Sequence, residues 1–205
     1  MLPPVPHAPE TRAKLLAAAR RAFAELGYGK ARVEDVVSRA GVGHGTFYAY
    51  FPNKRAALAA LMRENASTLI GLAADDWGGP GGGPDSVRAA LVKVLEGVAD
   101  LYERDADLIG LWTEAAMHDP ELGGVLDDVR HQFVARIAGN IERAQAAGVA
   151  RPVDPQTAAT ALAAMAEQTM FLRVVRGEPL EHDATVATLA QLWYCAIYLP
   201  EKDQP

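Results

Sequence analysis

Residues 33–54 read VEDVVSRAGVGHGTFYAYFPNK, and this stretch carries the strongest prediction about the fold. Apolar residues recur at helical spacing from Val33 to Ala40, and Gly41 breaks this first helix. A second short helix is predicted over 44–50, because Pro52 forces the preceding residue out of the helical region. Two short helices around a glycine turn form a helix-turn-helix, whose second helix fits the major groove of DNA. The pattern therefore predicts a DNA-binding element near the N-terminus.

The second helix of this motif carries most of the residues that we expect to touch DNA. His44 can reach a base edge, and Thr46 can offer its hydroxyl to a phosphate or its methyl to a thymine. Gly45 costs a helix about 1 kcal/mol relative to alanine, which a close approach of the backbone to DNA would explain. Tyrosine hydroxyls and a lysine at a helix N-terminus suit phosphate oxygens. The predicted contacts are Arg32, Gly43, His44, Gly45, Thr46, Tyr48, Tyr50 and Lys54.

The charge of the chain is unevenly distributed. Its 205 residues have a net charge of −6, but residues 1–63 contain ten Lys and Arg against four Asp and Glu, a net charge of +6. The remainder therefore has a net charge of −12. A basic head, residues 1–63, on an acidic body favours two modules with different partners. Several arginines of the head, including Arg20, Arg21, Arg39 and Arg55, are equally explained as solvating helix faces.

The composition favours a cytoplasmic protein with no membrane partner. Half of the residues are hydrophobic, which is enough for a substantial core, and the one cysteine excludes an internal disulfide. Charged or amide side chains interrupt every long apolar run, so no window approaches the roughly 18 apolar residues of a membrane-spanning helix. The N-terminal MLPPVPHAPETR lacks the pattern of a signal peptide.

Helical periodicity and capping residues run through most of the chain, and we count about nine helices. Asp119-Pro120 and Asp154-Pro155 each read as an N-cap followed by proline at the first helical position. The glycine- and proline-rich GGPGGGPD at 78–85 is predicted to be a flexible loop. The expected fold is all-α, with a three-helix helix-turn-helix domain at 1–53, a connecting helix at about 53–75 and a helical domain at 76–205.

Residues 11–58, TRAKLLAAARRAFAELGYGKARVEDVVSRAGVGHGTFYAYFPNKRAAL, resemble the N-terminal DNA-binding region of TetR-family transcriptional regulators. FAELGY, AGV and GTFYAYFPNK are the most specific parts of this resemblance. Family members commonly have Ser or Thr where this chain has Arg32 and Gly43, so Gly43 is a weaker cap and Arg32 replaces a cap with a charge. The resemblance implies a dimeric regulator whose C-terminal half binds a small-molecule effector.

Large apolar side chains in the body are candidates for an effector pocket. Methionine and aromatic residues line adaptable pockets, but they also fill ordinary cores, and the resemblance is what favours a pocket here. Two polar neighbours, Gln168 and Thr169, would orient a ligand or, alternatively, lie on a solvated face. The candidate set is Trp77, Trp112, Met117, Phe133, Met165, Gln168, Thr169 and Phe171.

The tail resembles the final helix pair of the family, which forms a dimeric four-helix bundle. Residues 154–174 and 185–198 are rich in alanine, which lets helix axes approach closely. The larger residues expected to bury area in a homodimer are Leu162, Leu189, Leu192, Trp193 and Ile197. Such a dimer would present two reading helices to a palindromic double-stranded operator.

Two other classes of protein compete with this hypothesis. An all-helical enzyme would need a nucleophile with a base, or a metal set. The suggestive pairs, Glu114 with His118 and Asp127 with His131, are four residues apart, a spacing that commonly just stabilises a helix. A DNA-binding protein without an effector would not need so large an acidic body. We therefore expect a DNA-binding regulator with no catalytic residues, metal or cofactor, and the TetR resemblance implies a repressor that is released when a small molecule binds.

Overall fold

A computed structural model of the chain describes residues 8–73, 77 and 83–198. Within these ranges the chain forms α-helices and no named β-strand, which confirms the all-α prediction. The helices are α1 (Ala8–Leu26), α2 (Val33–Ala40), α3 (His44–Tyr50), α4 (Lys54–Leu72), α5 (Pro84–Arg104), α6 (Ala106–His118), α7 (Pro120–Ala146), α8 (Pro155–Met170) and α9 (His182–Ile197). The loop predicted at 78–85 lies largely outside the described residues.

Local signals in the sequence set several of these boundaries. Gly27 and Gly41 have φ values of 74° and 66°, so each supplies the left-handed residue that ends α1 or α2. The carboxylate of Asp154 accepts the N–H of Thr157 at 2.8 Å and caps α8. The side-chain oxygen of Asn53 accepts the N–H of Ala56 at 2.9 Å and caps α4 in the same way.

The connection between α8 and α9 begins with a π-helical turn. α8 ends at Met170, and Phe171–Val175 continue as a π-helix whose side chains are all half-buried. Single π-helical turns inside or beside α-helices are uncommon and locally widen the helix. The following helix starts at His182, because the carboxylate of Glu181 accepts the N–H groups of Asp183 and Ala184. These hydrogen bonds also lower the pKa of Glu181.

The described chain divides into two compact units, and neither is one continuous stretch. The first unit contains the residues up to Asn65 together with Asp107–Leu126. The second contains Ala66–Ala106 and the residues from Asp127 onward. The domains predicted at 1–53 and 76–205 are each one continuous stretch of sequence. In the structure, α6 and the start of α7 belong to the same unit as the head, which the sequence does not indicate.

Each unit has its own apolar core. In the first unit, Phe23, Phe47 and Leu58 are completely buried and join α1, α3 and α4. In the second unit, α5, α7, α8 and α9 contribute the buried cluster, with Phe133 and Trp193 among its largest members. Burial of such side chains stabilises each unit by about 1.5–3 kcal/mol per residue before entropy is subtracted.

Candidate nucleic-acid interface

A three-residue turn sets the angle between α2 and α3. The N–H groups of Gly41 and Val42 donate to the carbonyls of Ser38 and Val37, which closes the end of α2. Gly43 then adopts an extended conformation, and its carbonyl accepts the N–H groups of the first turn of α3 at 3.0 and 3.3 Å. The two helices therefore form the helix-turn-helix that the sequence predicts.

One face of α3 is anchored and the opposite face is free. Phe47 is fully buried, and its ring packs against Phe51 with centroids 5.7 Å apart. Elsewhere on α3, His44 and Gly45 are exposed, and Tyr48 exposes 55% of its surface. A rigidly anchored helix with a free face of aromatic, hydroxyl and imidazole groups has the geometry of a reading helix.

The two glycines of this face have no packing reason to be glycine. A Cβ added to Gly43 or Gly45 would meet no atom within 4 Å. Neither residue has a positive φ. Glycine lowers the stability of a short helix, and nothing in the packing of the protein itself requires glycine here. A close approach of the α3 backbone to another molecule would require it.

Tyr50 does not lie on the free face. Its hydroxyl is buried and has no hydrogen-bond partner among the described residues. The side chain lines a crevice of about 630 Å³ with residues of α1 and α4, including Leu16 and Leu61. Tyr50 follows Phe47 by three positions and so shares its inward-facing side. In the described conformation the hydroxyl of Tyr50 is therefore turned inward, away from the surface on which its phosphate contact is predicted.

Lys54 also differs from its prediction. Its Nζ donates to the carbonyls of Tyr28, Gly29 and Ala31 at 2.7, 3.1 and 2.9 Å, and lies 4.7 Å from the centre of the Tyr28 ring. An ammonium has three donors, and all three are used here. Partial burial lowers the pKa of Lys54. Lys54 thus ties the α1–α2 connection to the start of α4, and its three donors are engaged within the protein rather than left for a phosphate.

Arg32 keeps a free guanidinium. The residue occupies the N-cap position of α2 with extended backbone, and its N–H donates to the carboxylate of Asp35 at 2.8 Å. Asp35 therefore supplies the capping hydrogen bond that the arginine side chain cannot. The guanidinium itself is exposed, and no partner for it is found among the residues that the structure describes.

Ion pairs hold α6 and the start of α7 to the head within the first unit. Arg20 bonds Asp107 at 2.8 Å, and Arg55 bonds Asp119 at 2.7 Å and Glu121 at 2.6 Å. The hydrogen bond that Arg55 donates to Glu121 is the largest cause of the raised pKa of Arg55. These contacts join residues far apart in the sequence, and no local motif indicates them.

Comparison with known proteins shows which family models the two halves of the chain match. Residues 15–61 match the family model described as bacterial regulatory proteins, tetR family. Residues 91–199, more than half of the chain, match the model of the C-terminal domain of the transcriptional regulator EthR. The chain belongs to the TetR family of transcriptional regulators. Members of this family are regulators rather than enzymes, so the expectation of no enzymatic function is confirmed.

Relatives and solved structures agree with the TetR assignment. The HTH-type transcriptional regulator EthR of Mycolicibacterium smegmatis is 26% identical over 198 residues, which cover 94% of this chain and 88% of the relative. The HTH-type transcriptional repressor Rv1474c of Mycobacterium tuberculosis is 28% identical over 177 residues, covering 76% and 91%. Salmonella enterica GusR shares the fold with a TM-score of 0.75 and 23% identity, covering 91% of this chain and 94% of its own. Among the described residues, no helix is both long enough and apolar enough to cross a membrane.

The effector residues predicted from the TetR resemblance are divided between the two units. Trp112, which is buried, and Met117, which is 70% exposed, belong to the first unit. Trp77 and Phe133 lie in the core cluster of the second unit, with Met165 packed against it. The other three surround the end of α8: Gln168 is exposed, Thr169 is half-buried and donates to the carbonyl of Met165, and Phe171 is half-buried. The exposure of Met117 argues against a pocket role for it.

The TetR-like helix pair α8–α9 turns a different face outward than predicted. Leu162, Leu189, Trp193 and Ile197 are at most 6% exposed and lie in the core of their own protomer, whereas Leu192 is 49% exposed. Those four residues therefore pack within their own protomer, because large apolar side chains on a helix first cover the core of their own chain, and Leu192 is the exposed member of the predicted interface set. The exposed faces of α8 and α9 instead contain small or uncharged residues: Thr157, Thr160, Ala161, Ala164, Gln168, Ala184, Ala187, Thr188, Gln191, Leu192, Cys195 and Ala196.

Proposed function

We propose that this TetR-family protein is a homodimeric, cytoplasmic repressor that releases a palindromic operator when a small molecule binds its C-terminal half. The observation that carries the DNA-binding part is the free face of α3, which is exposed while the opposite face is anchored through fully buried Phe47. His44, Thr46 and Tyr48 would contact bases and phosphates, with Gly43 and Gly45 allowing the backbone to come close. Arg32 adds a free charge at the start of α2.

The uncharged faces of α8 and α9 support the proposed homodimer. From Ala184 to Ala196 the exposed face of α9 carries no charged residue, and neither does the exposed face of α8 from Thr157 to Gln168. Small side chains allow two helix pairs to pack closely about a two-fold axis. The proposed interface therefore centres on Leu192 and the alanines around it, with the four core residues excluded.

The dimer can be tested with a matched pair of variants. Leu192 is 49% exposed on α9 and Leu180 is 44% exposed in the preceding connection, so the two leucines have similar exposure but only one lies on the proposed interface. Analytical ultracentrifugation should find Leu192→Arg monomeric and Leu180→Arg dimeric. Cys195 is the only cysteine and is exposed in the protomer, so its reaction with a maleimide should accelerate when the dimer dissociates. Dimeric Leu192→Arg would contradict the proposed interface.

Two buried tryptophans support an effector site in the second unit. Trp77 and Trp193 are 4% and 1% exposed, and their ring centroids are 5.7 Å apart. Neither indole N–H has a hydrogen-bond partner among the described residues. A buried donor without an acceptor costs about 1–3 kcal/mol, which a ligand carrying an acceptor would recover. Met165, which packs against this core, would complete an apolar site.

The proposed release mechanism is a shift between two conformations of the protein. A ligand that binds the DNA-incompetent conformation more tightly lowers operator affinity by the ratio of its two affinities. α4 begins beside the helix-turn-helix, and α6 is bonded to the head through Asp107, so both helices are candidates to carry the change. The name of the curated relative Rv1474c, a transcriptional repressor, supports the repressor role.

One experiment tests the function as a whole. Genomic fragments retained by the purified protein are sequenced, and the shared sequence is made as a labelled duplex. We expect a palindromic site bound by wild type and bound more weakly by Tyr48→Phe, which removes one hydroxyl from the exposed face. Candidate effectors are then added to the complex. Retention of DNA without any enriched sequence would contradict operator binding, and an operator complex insensitive to every compound that shifts the melting temperature would contradict release.

A further inference from the structure

Half of the basic residues in the head are already bonded within the first unit. The bonded residues and their partners are Arg12 with Glu64, Arg20 with Asp107, Arg39 with Glu25, Arg55 with Asp119 and Glu121, and Lys54 with three backbone carbonyls. The side chains of the other five have no partner among the described residues: Lys14, Arg21, Lys30, Arg32 and Arg63. A cation that is already bonded within the protein has less to offer a phosphate, so the five unpaired cations are the ones most available to DNA.

Of these five residues, Lys30 and Arg32 are the two that lie in the connection leading into the helix-turn-helix. Ala31 between them is 1% exposed, whereas both cations are exposed. The buried alanine fixes the connection against the core, and its two neighbours are left on the outer side. This leaves two positive charges, separated by one residue, exposed in the same short connection.

The connection that carries Lys30 is held in place by the start of α4. The Nζ of Lys54 bonds the carbonyls on both sides of Lys30, those of Gly29 and Ala31, at 3.1 and 2.9 Å. The N–H of Ala31 also donates to the carbonyl of Gly27 at 3.1 Å. Lys54 comes shortly after the end of α3, so these bonds fix the backbone of Lys30 beside the C-terminal end of the reading helix.

We propose that Lys30 binds the phosphate backbone of the operator beside the groove occupied by α3, together with Arg32. This inference rests on the proposed operator binding through α3. A helix seated in the major groove has a phosphate strand along each border, and cations on the flanking segments bind those strands. The backbone of Lys30 is already ordered, so binding costs the entropy of one flexible side chain rather than of a loop. Lys54 is a positioning residue for this contact.

The test measures how operator affinity depends on salt. Each phosphate contact contributes about 0.9 to the slope of log affinity against log salt. In a dimer, Lys30→Gln should therefore lower the slope by about 1.8, so that the loss of affinity between 50 and 200 mM salt shrinks about twelvefold. Lys30→Arg should keep the wild-type slope, because a guanidinium also binds phosphate.

Arg136→Gln is the matched control. Arg136 is exposed on α7 in the second unit, and its side chain has no partner among the described residues, so its loss changes the net charge equally without touching the head. Its slope should equal that of wild type. Measurable operator binding by Lys30→Gln with an unchanged slope, or an equal fall in slope for Arg136→Gln, would overturn the role of Lys30. Absence of operator binding by wild type would overturn the proposed function together with this inference.

Discussion

Replacing Lys54 by methionine should destabilise the protein by about 2–3 kcal/mol. The substitution keeps most of the side-chain length and removes the ammonium that bonds three carbonyls at 2.7–3.1 Å. Hydrogen bonds from a charged donor contribute about 1.5–3 kcal/mol each. The expected loss is smaller than the sum of three such hydrogen bonds for two reasons. The site is partly open, so the freed carbonyls can bind water. The burial that lowers the pKa of Lys54 also offsets part of the stabilisation that its hydrogen bonds provide.

The control for this prediction is Lys30→Met. Lys30 lies in the same connection and is exposed without a side-chain partner among the described residues, so we expect a change within about 0.5 kcal/mol. Lys54→Arg should recover only part of the loss, because a planar guanidinium cannot direct its donors as an ammonium does. Urea unfolding followed by circular dichroism gives the three free energies. If Lys54→Met unfolds within about 0.5 kcal/mol of wild type, the three carbonyl bonds do not hold the connection.

Three further changes test other parts of the structure. Gly45→Ala should raise the unfolding free energy by up to about 1 kcal/mol, measured by calorimetry, since the added methyl meets nothing within 4 Å. The same variant should bind the operator more weakly in fluorescence anisotropy, and unchanged binding would contradict the close approach of α3 to DNA. Phe47→Ala should cost about 3–5 kcal/mol and abolish operator binding, because the ring is fully buried and anchors α3. A thermal midpoint near that of wild type would refute this anchoring role. The hydrogen bond between His182 and Glu103, 2.7 Å long, raises the pKa of His182. Wild type should therefore be more stable than His182→Gln by at most about 1 kcal/mol at pH 6, and this difference in unfolding free energy should disappear as the pH rises through the raised pKa. A difference that grew towards pH 9 would contradict this reasoning.

Local chemistry makes the helix-turn-helix predictable from its residues. The bounds of α2 and α3 agree with the predicted 33–40 and 44–50, because glycine and proline end helices through their own backbone geometry. Asn53 and Asp154 cap their helices as expected, since a capping bond spans only three residues. The π-helical turn after Met170 is not predictable in this way, because nothing in the residue types distinguishes it from a continued α-helix.

The roles of individual side chains are less predictable. Tyr48 and Tyr50 are two positions apart and carry the same hydroxyl, yet one is 55% exposed and the other has its hydroxyl buried in the crevice. Leu189 and Leu192 are three apart on α9, yet one lies in the core and the other on the surface. The pattern shows that a helix is amphipathic, but which neighbour covers each side depends on packing between distant segments.

The class of protein, the reading helix and the uneven distribution of charge all follow from residues close together in the chain, so the order of the amino acids is enough to specify them. Which cations are free depends on the folded chain instead. Arg20 and Arg55 are bonded to Asp107 and Asp119, carboxylates more than sixty residues away along the chain, while Lys54 is held by carbonyls of the α1–α2 connection. Coulombic attraction depends on separation in space, not on separation in sequence. A positive charge counted in the sequence is therefore most available to DNA where folding leaves its side chain without a partner.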